Sequence, residues 1–313
     1  MLAYIANRLV ATLPVMGTVA VVVFAMLRLT PGDPAAIIAG DGATTDQLEQ
    51  IRAHMGLDKP IVTQFFLWLG QLIHGDLGVS LISRVPVSEL IADRIGPTLA
   101  LATTIIVFSV IVAIPLGVVA AWRQGTLVDR IVSACSVFGF SVPVFVNGYL
   151  LILLFSITLG WLPVQGYRPL AGGFWPFFER LILPTLALST AYIALIARIT
   201  RTSILEVMGE DYIRTARAKG LKESAVLLRH ALRNAAVPIV TIIGVGIAVL
   251  ISGVVVTESV FNLPGLGRLV VEAVLARDYP VIQGLILFFA FVYILINLLV
   301  DVLYTVFDPR IRY

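Results

Sequence analysis

Six long runs of the chain contain no Lys, Arg, Asp or Glu, and this pattern constrains the fold more than any other feature of the sequence. Crossing a hydrocarbon core about 30 Å thick takes about 20 helical residues, and a helix satisfies its own backbone hydrogen bonds in lipid. We therefore expect an all-α, polytopic membrane protein with six transmembrane helices. The six runs are Leu9–Leu27, Ile95–Trp122, Ile131–Tyr167, Leu181–Ala197, Asn234–Thr257 and Tyr279–Val300.

The composition agrees with lipid as the main solvent. Hydrophobic residues make up 59% of the 313 residues and charged residues 13%, whereas a soluble domain has about 25% charged residues. The run Ile131–Tyr167 is too long for one straight span, so we expect it to cross by about Leu159 and to continue along the outer surface. The fourth run, Leu181–Ala197, is the shortest of the six.

The distribution of Lys and Arg predicts the orientation, because cytoplasmic loops carry an excess of these residues. With the N-terminus inside, the inner segments hold thirteen Lys and Arg residues and the two short outer loops hold four. Both termini are therefore expected in the cytoplasm, and the first run is interpreted as an uncleaved anchor because it is longer than the apolar region of a signal peptide. The expected parts are an N-terminal transmembrane helix (1–29), an extracytoplasmic insertion (30–94), a five-helix core (95–306) with a cytoplasmic loop (198–237), and a cytoplasmic tail (307–313).

The extracytoplasmic insertion is expected to contain short helices. Capping residues and apolar spacing predict one helix that begins at Thr44 or Thr45 and ends at Gly56. The segment TQFFLWLGQLI, residues 63–73, predicts a second helix that is too short to cross a membrane.

The cytoplasmic loop 198–237 is basic and amphipathic, and its pattern predicts a helix, a glycine turn and a short helix. Gly220 follows the bases Arg217 and Lys219, as a left-handed residue at a helix end would. Such a shape suits docking to a protein partner, and it equally suits a basic helix lying on anionic lipid headgroups. The apolar face of the first helix is expected to contain Leu205, Met208, Tyr212 and Ala216, and that of the second Leu221, Ala225, Leu228 and Leu232.

No motif for catalysis, cofactor or metal binding stands out. The sequence has no GxxxxGK[ST] phosphate cradle, so an ATPase would have to be another polypeptide. PGLGR at 264–268 is interpreted as a turn. Cys135 is the single cysteine, and the three histidines lie in different loops without metal-ligand spacing.

Charged residues stand at the ends of the predicted spans rather than at their middles. Arg28, Glu258 and Asp301 are expected to have an interfacial or helix-end role, with gating as the alternative. An ion-driven carrier would place titratable groups near the midplane, and none is there. A membrane-embedded hydrolase is disfavoured as well, because no span contains a histidine to activate a serine.

Three prolines, Pro115, Pro143 and Pro184, fall within predicted spans and are expected to interrupt them. Ser141 and Asn147 lie near Pro143 in the sequence, so Ser141, Pro143 and Asn147 are the candidates for lining a substrate path. Ordinary packing of membrane helices, which are rich in proline and glycine, is the alternative explanation.

Several segments together resemble a known family. They include TARAKGL, RHALRN, RLVATLPVMGTVAVVVFAMLRLTPGDPA, HGDLGVS, SVPVFVNGYLL, ESVFNLPGLGRLVVEAV and DPRIR. In their order along the chain they are similar to the segments of the permeases of binding-protein-dependent ABC importers, in the dipeptide and oligopeptide branch. That family's cytoplasmic loop has a Glu-Ala-Ala triplet, which here reads Arg214-Thr215-Ala216, and a glycine, which Gly220 matches.

The resemblance implies the type I ABC importer permease fold in a bacterial inner membrane. It implies a heterodimeric permease of two homologous subunits, two ATPase subunits that hydrolyse the ATP, an extracytoplasmic binding protein, contact with membrane lipid and no nucleic acid. The substrate would be a dipeptide, an oligopeptide, glutathione or a nickel complex. The residues predicted to couple this chain to an ATPase are Arg214, Ala216, Arg217, Lys219, Gly220, Leu221 and Leu228.

Overall fold

The computed structural model describes residues 2–29, 35, 44–46, 49, 52 and 57–307. These residues form helices and connecting turns, with an antiparallel bridge between Val79 and Pro86. The helices are α1 (Leu2–Leu29), α2 (Ile61–Ile73), α3 (Val87–Trp122), α4 (Leu127–Ser141), α5 (Val144–Thr158), α6 (Phe174–Met208), α7 (Asp211–Ala218), α8 (Glu223–Asn234), α9 (Ala236–Val260), α10 (Leu266–Leu275) and α11 (Tyr279–Phe307). The chain is all-helical where it is described, as the sequence predicts.

Three helices, α3, α6 and α11, are long and apolar enough to cross a membrane. Two bent pairs raise the number of candidate spans in the described residues to five: α4 with α5, at 102°, and α8 with the first half of α9, at 56°. The 13-residue α2 confirms the prediction of a short apolar helix at 63–73. The helix predicted from Thr44 or Thr45 to Gly56 and the tail after Phe307 lie largely outside the described residues.

The predicted third span is two helices rather than one. Val142 and Pro143 have extended backbone angles, with ψ of 120° and 140°, and they separate α4 from α5. A residue before proline is sterically driven out of the α region, which explains the break at Val142. Pro115 and Pro184 instead lie inside the continuous helices α3 and α6, so the prediction that they interrupt their spans was wrong.

The described chain divides into two compact units, and the first contains residues 97–268 and 295 onward. Its core is built around α6. Tyr192 of α6 donates a hydrogen bond from its hydroxyl to Ile243 O of α9 at 2.5 Å. Gly117 lets α3 approach α6 closely, because a Cβ there would lie 2.6 Å from Ala197 O.

The second unit contains residues 2–96 and 269–294. The Phe24 ring packs within 5.2 Å of Phe65 and 5.5 Å of Trp68, measured between ring centroids, which joins α1 to α2. The buried Asp278 carboxylate accepts hydrogen bonds from Ser80 Oγ at 2.5 Å and from the Leu81 N–H at 3.1 Å. Aromatic packing and a buried carboxylate thus hold this unit together.

Candidate functional site

The segment between α6 and α9 folds as a helical hairpin, α7 and α8, joined by a tight turn at Gly220. Gly220 has a φ of +77°, which confirms the predicted left-handed residue. Its N–H donates to Arg217 O at 2.9 Å and the Leu221 N–H donates to Ala216 O at 3.4 Å. These two bonds form a Schellman motif, which satisfies carbonyls at the end of α7 and fixes where the chain leaves the helix.

An ion pair braces the hairpin across this turn. Arg217 Nε donates to Glu223 Oε1 at 2.7 Å and Nη2 donates to Oε2 at 3.3 Å. The Glu223 carboxylate raises the pKa of the Arg217 guanidinium above its usual value. Arg214 forms a second, more exposed pair with Asp211 at 3.2 Å. Both arginines that the sequence assigns to a partner therefore already have a carboxylate in this chain.

The buried face of α7 differs from the predicted one. Ile213 and Ala216 are buried against Val226, Val207 and Met208, whereas Tyr212 is 43% exposed. The prediction assumed one helical period from Leu205 to Ala216. In the structure α6 ends at Met208 and α7 begins at Asp211, which shifts the period. Because Ala216 is 7% exposed, it braces the hairpin from inside.

For α8, Leu221 and Leu228 of the predicted apolar face lie on the surface, and other residues form the buried face. Val226, Leu227 and Ala231 are buried, and Leu221 and Leu228 are 42% and 57% exposed. The residues Val226–Ala231 form a π-helical turn, which is wider than an α-helical turn and changes the side of the helix on which each residue lies. The π turn leaves Leu228 on the surface.

The hairpin therefore has an exposed apolar surface with basic residues around it. We call Tyr212, Lys219, Gly220, Leu221 and Leu228 the hairpin surface; all five are exposed. Three of the five, Tyr212, Leu221 and Leu228, are large exposed apolar side chains, the kind of residue from which interaction sites are built. Arg214, Lys222, Arg229 and Arg233 are exposed on the same hairpin.

The predicted path residues lie at the bend between α4 and α5. Ser141 is the last residue of α4 and donates from Oγ to Val137 O at 2.9 Å. Asn147 Nδ2 donates to Ala187 O and to Thr190 Oγ1, both at 3.2 Å. These bonds attach α5 to α6 and give Asn147 a packing role, while the substrate contact of Ser141, Pro143 and Asn147 stays a prediction.

A cavity that the sequence did not reveal lies between α4 and α6; we call it the α4–α6 cavity. Its volume is about 400 Å³. An ion pair lies beside it, with Arg201 Nε 2.5 Å from Asp129 Oδ1 and Arg201 Nη2 2.9 Å from Asp129 Oδ2. Nothing in the spacing of these residues distinguishes them from ordinary polar helix positions, so sequence reasoning missed them. The lining residues are Val132, Ser133, Ser136, Val137, Phe140, Ala197, Arg198, Arg201 and Thr202.

Glu258 is fully buried near the end of α9, and its contacts match the helix-end role that the sequence predicts. Thr98 Oγ1 donates to Glu258 Oε1 at 2.6 Å, and the Arg268 N–H donates to Oε2 at 3.0 Å. Thr98 Oγ1 in turn accepts the Leu266 N–H at 2.8 Å. The carboxylate thus satisfies donors at the start of α10. Glu258 therefore fastens the short connection between α9 and α10, which we call the Glu258 turn. PGLGR is a turn only at Pro264 and Gly265, because Leu266–Arg268 begin α10.

The described residues contain no group of three or more His, Cys, Asp or Glu side chains that could hold a metal ion. Asp301, whose role the sequence left open between a helix end and gating, lies within α11 and is partly buried.

An all-helical membrane protein with a braced helical hairpin between two of its long helices is the class that these features define. Residues 113–313 match the family described as "binding-protein-dependent transport system inner membrane component", and residues 1–102 match the N-terminal region of the same kind of component. The chain belongs to this family of multi-pass membrane components, which are not catalytic themselves.

Two named relatives match over nearly their whole length. A Sinorhizobium fredii protein named "probable peptide ABC transporter permease protein" is 52% identical over 310 residues, covering 99% of each chain. The "glutathione transport system permease protein" of Escherichia coli K12 is 46% identical over 313 residues, covering 100% of each chain. The similarity therefore extends through both ends of the chain.

Solved structures show the same fold. A chain of the MetNI methionine ABC transporter, in an inward-facing conformation, matches 71% of this chain and 97% of its own length, with a TM-score of 0.58 and 18% identity. A chain of an amino acid ABC transporter matches 72% of this chain and 95% of its own length, with a TM-score of 0.51. The architecture is that of an ABC importer permease.

Proposed function

We propose that this protein is one of two homologous permease subunits of an ATP-driven importer in a bacterial inner membrane, and that its substrates are peptides. An extracytoplasmic binding protein delivers the substrate, and two ATPase subunits supply the energy. The family membership and the peptide permease that is 52% identical over the full chain support this proposal.

The hairpin is proposed as the lever that couples ATP hydrolysis to transport. The observation that carries this assignment is the exposed apolar hairpin surface on a support that is held from within. Its Schellman turn, the Arg217–Glu223 pair and the buried Ile213, Ala216 and Val226 make the hairpin one body. A stiff body transmits a displacement that a flexible loop would absorb.

The proposed topology has six membrane spans, with both termini and the hairpin in the cytoplasm. The excess of Lys and Arg in the inner segments supports this orientation. The bent pair α4–α5 then contributes one span, α9 contributes another, and α1 supplies the first. In this topology the turn fastened by Glu258 lies on the outer side.

Glutathione is a second candidate substrate, because the glutathione transport permease that is 46% identical over the full chain is nearly as similar. Glutathione is itself a tripeptide, so the two candidates share a peptide backbone and free carboxylates. The two candidates are separated by measuring uptake of a labelled peptide by the complete importer while unlabelled trialanine or unlabelled glutathione competes. The substrate that the importer prefers inhibits uptake at the lower concentration.

The test of the lever replaces Gly220 by Leu in the complete importer. Gly220 has φ +77° and nothing within 4 Å of a Cβ position, so a Leu side chain would project from the turn toward a docked partner. We expect ATP-dependent peptide uptake into proteoliposomes to collapse and the ATPase to co-purify poorly, while the chain still inserts.

Gly125 provides a matched control, because it also has φ +77° and open space at its Cβ, in the turn between α3 and α4. Gly125→Leu introduces the same backbone strain, about 1–2 kcal/mol, away from the hairpin. It should lower stability as much as Gly220→Leu but leave ATPase co-purification intact. Normal uptake by Gly220→Leu would overturn the lever assignment.

A further inference from the structure

The α4–α6 cavity has a charge arrangement that the coupling function does not use. Arg201 in its wall is neutralised by Asp129, whose Oδ2 also accepts the Gly125 N–H at 2.9 Å. Arg198 lines the same cavity, is exposed, and its guanidinium has no hydrogen bond or ion pair with any residue that the structure describes. The cavity therefore offers one positive charge without a counter-ion.

Hydroxyl groups in the cavity wall are available as hydrogen-bond acceptors. Ser136 Oγ donates to Val132 O at 2.9 Å, and Thr202 Oγ1 donates to Arg198 O at 3.1 Å. A hydroxyl that has donated its single proton keeps two acceptor lone pairs. These two oxygens, one on α4 and one on α6, are suited to N–H groups of a ligand.

We propose that the α4–α6 cavity is a subsite for the transported peptide, in which Arg198 binds the C-terminal carboxylate and the Ser136 and Thr202 hydroxyls accept N–H groups. Arginine suits this task because its guanidinium matches a carboxylate with two parallel hydrogen bonds. The volume of about 400 Å³ lies within the range of small-molecule sites, roughly 300–1,000 Å³. The inference rests on the proposed function and adds the substrate group that the permease recognises.

The cavity favours a peptide over an anionic lipid headgroup, which is the other source of an anion beside a membrane protein. Lipid-headgroup sites gather several basic side chains, whereas here one of the two arginines is already neutralised. The apolar residues Val137 and Phe140 stand beside hydroxyls from both helices, a mixture that matches the side chains and amides of a peptide.

The test follows the reactivity of a cysteine in the cavity wall of the complete importer in nanodiscs. Val137→Cys serves as the reporter in a Cys135→Ser background, since Cys135 is free and exposed. The alkylation rate with N-ethylmaleimide is measured with trialanine, or with trialanine amide, which lacks the carboxylate. Trialanine at about twice its dissociation constant should slow alkylation about threefold, because labelling follows the unoccupied fraction. Trialanine amide at the same concentration should not slow alkylation, because it lacks the carboxylate that Arg198 is proposed to bind.

Arginine variants locate the charge that is recognised. Arg198→Gln should raise the trialanine concentration needed for protection by about tenfold or more, the cost of losing a charge-assisted hydrogen bond. Arg123→Gln removes the same charge from an exposed arginine outside the cavity and should leave protection unchanged.

Equal protection by trialanine and its amide, or none by either, would overturn the carboxylate assignment. Slower alkylation in phosphatidylglycerol than in phosphatidylcholine nanodiscs, without protection by trialanine, would assign the cavity to a lipid headgroup. ATP-dependent peptide uptake by the unsubstituted importer in proteoliposomes is measured in parallel. Its absence contradicts the proposed function, whereas uptake without trialanine protection contradicts the cavity assignment alone.

Discussion

Two glycine turns in the first unit use glycine for different reasons. At Gly220 the backbone requires it, because φ is +77° and the space around a Cβ is open. At Gly265 and Gly267 the packing requires it, because a Cβ would overlap the Glu258 carboxylate in the first case and lie 2.5 Å from Val255 Cα in the second. The turn at Gly220 is thus rigid and leaves space for a partner. The Glu258 turn is tightly packed and leaves no space for an added side chain.

The difference teaches where function and stability reside. The Glu258 carboxylate links Thr98, within α3, to the start of α10, whose dipole favours a negative charge at its N-terminus. Changes there should lower stability first. Changes at the hairpin should reduce coupling by more than their cost in stability explains.

The largest loss of stability is expected for Gly267→Ala. Its Cβ would meet the backbone of α9, which cannot rotate away as a side-chain end can, and overpacking of this kind costs about 1–3 kcal/mol or more. The purified chain in detergent should show a clearly lower Tm. Gly172→Ala is the control, because Gly172 has nothing within 4 Å of a Cβ position. Equal Tm values for the two variants would contradict the claim that close packing at Gly267 excludes a side chain.

A loss of similar size is expected for Glu258→Gln, which keeps the shape and removes the charge. One amide oxygen cannot replace two carboxylate oxygens, so either the Thr98 hydroxyl or the Arg268 N–H loses its acceptor. Hydrogen bonds to charged groups contribute about 1.5–3 kcal/mol each. Tm is again the measurement, with the exposed Glu89→Gln as the control. An unchanged Tm for Glu258→Gln would show that the carboxylate is dispensable.

The smallest effect on stability is expected for the Arg217–Glu223 pair, because exposed pairs contribute about 0.2–1 kcal/mol. If the pair braces the lever, Arg217→Glu should reduce peptide uptake and the charge swap with Glu223→Arg should restore it. The Arg214 and Asp211 swap is the matched control, since that pair lies within α7 and does not cross the turn.

The outcome of the swap also decides between two roles for Arg217. Uptake that stays low in the swapped protein would mean that Arg217 contacts the ATPase, as the sequence predicts, rather than Glu223. ATPase co-purification is measured on the same samples. Loss of a contact between Arg217 and the ATPase should release the ATPase, whereas loss of the Arg217–Glu223 pair should make the hairpin less rigid and leave the ATPase bound.

The sequence predicted the membrane helices and the Gly220 turn because these depend on local chemistry. An uncharged run of sufficient length has lipid as its solvent, and a glycine after a basic helix end adopts the left-handed conformation. It did not predict which side of α8 is buried, because the π turn at Val226–Ala231 changes the period. It placed Glu258 at a helix end but did not predict that the side chain is buried, because position at a helix end does not reveal what covers a side chain.

The sequence by itself determined a multi-pass helical membrane protein of the importer permease family. Long apolar runs and family segments can be recognised in the linear sequence without knowledge of tertiary contacts. Only the tertiary structure decided that Ala216 lies inside the hairpin, that Leu228 lies outside it, and that Arg198 stands without a counter-ion while Arg201 has Asp129. Those facts depend on which distant residues meet. Burial and charge pairing are properties of contacts between elements, and no local pattern encodes them.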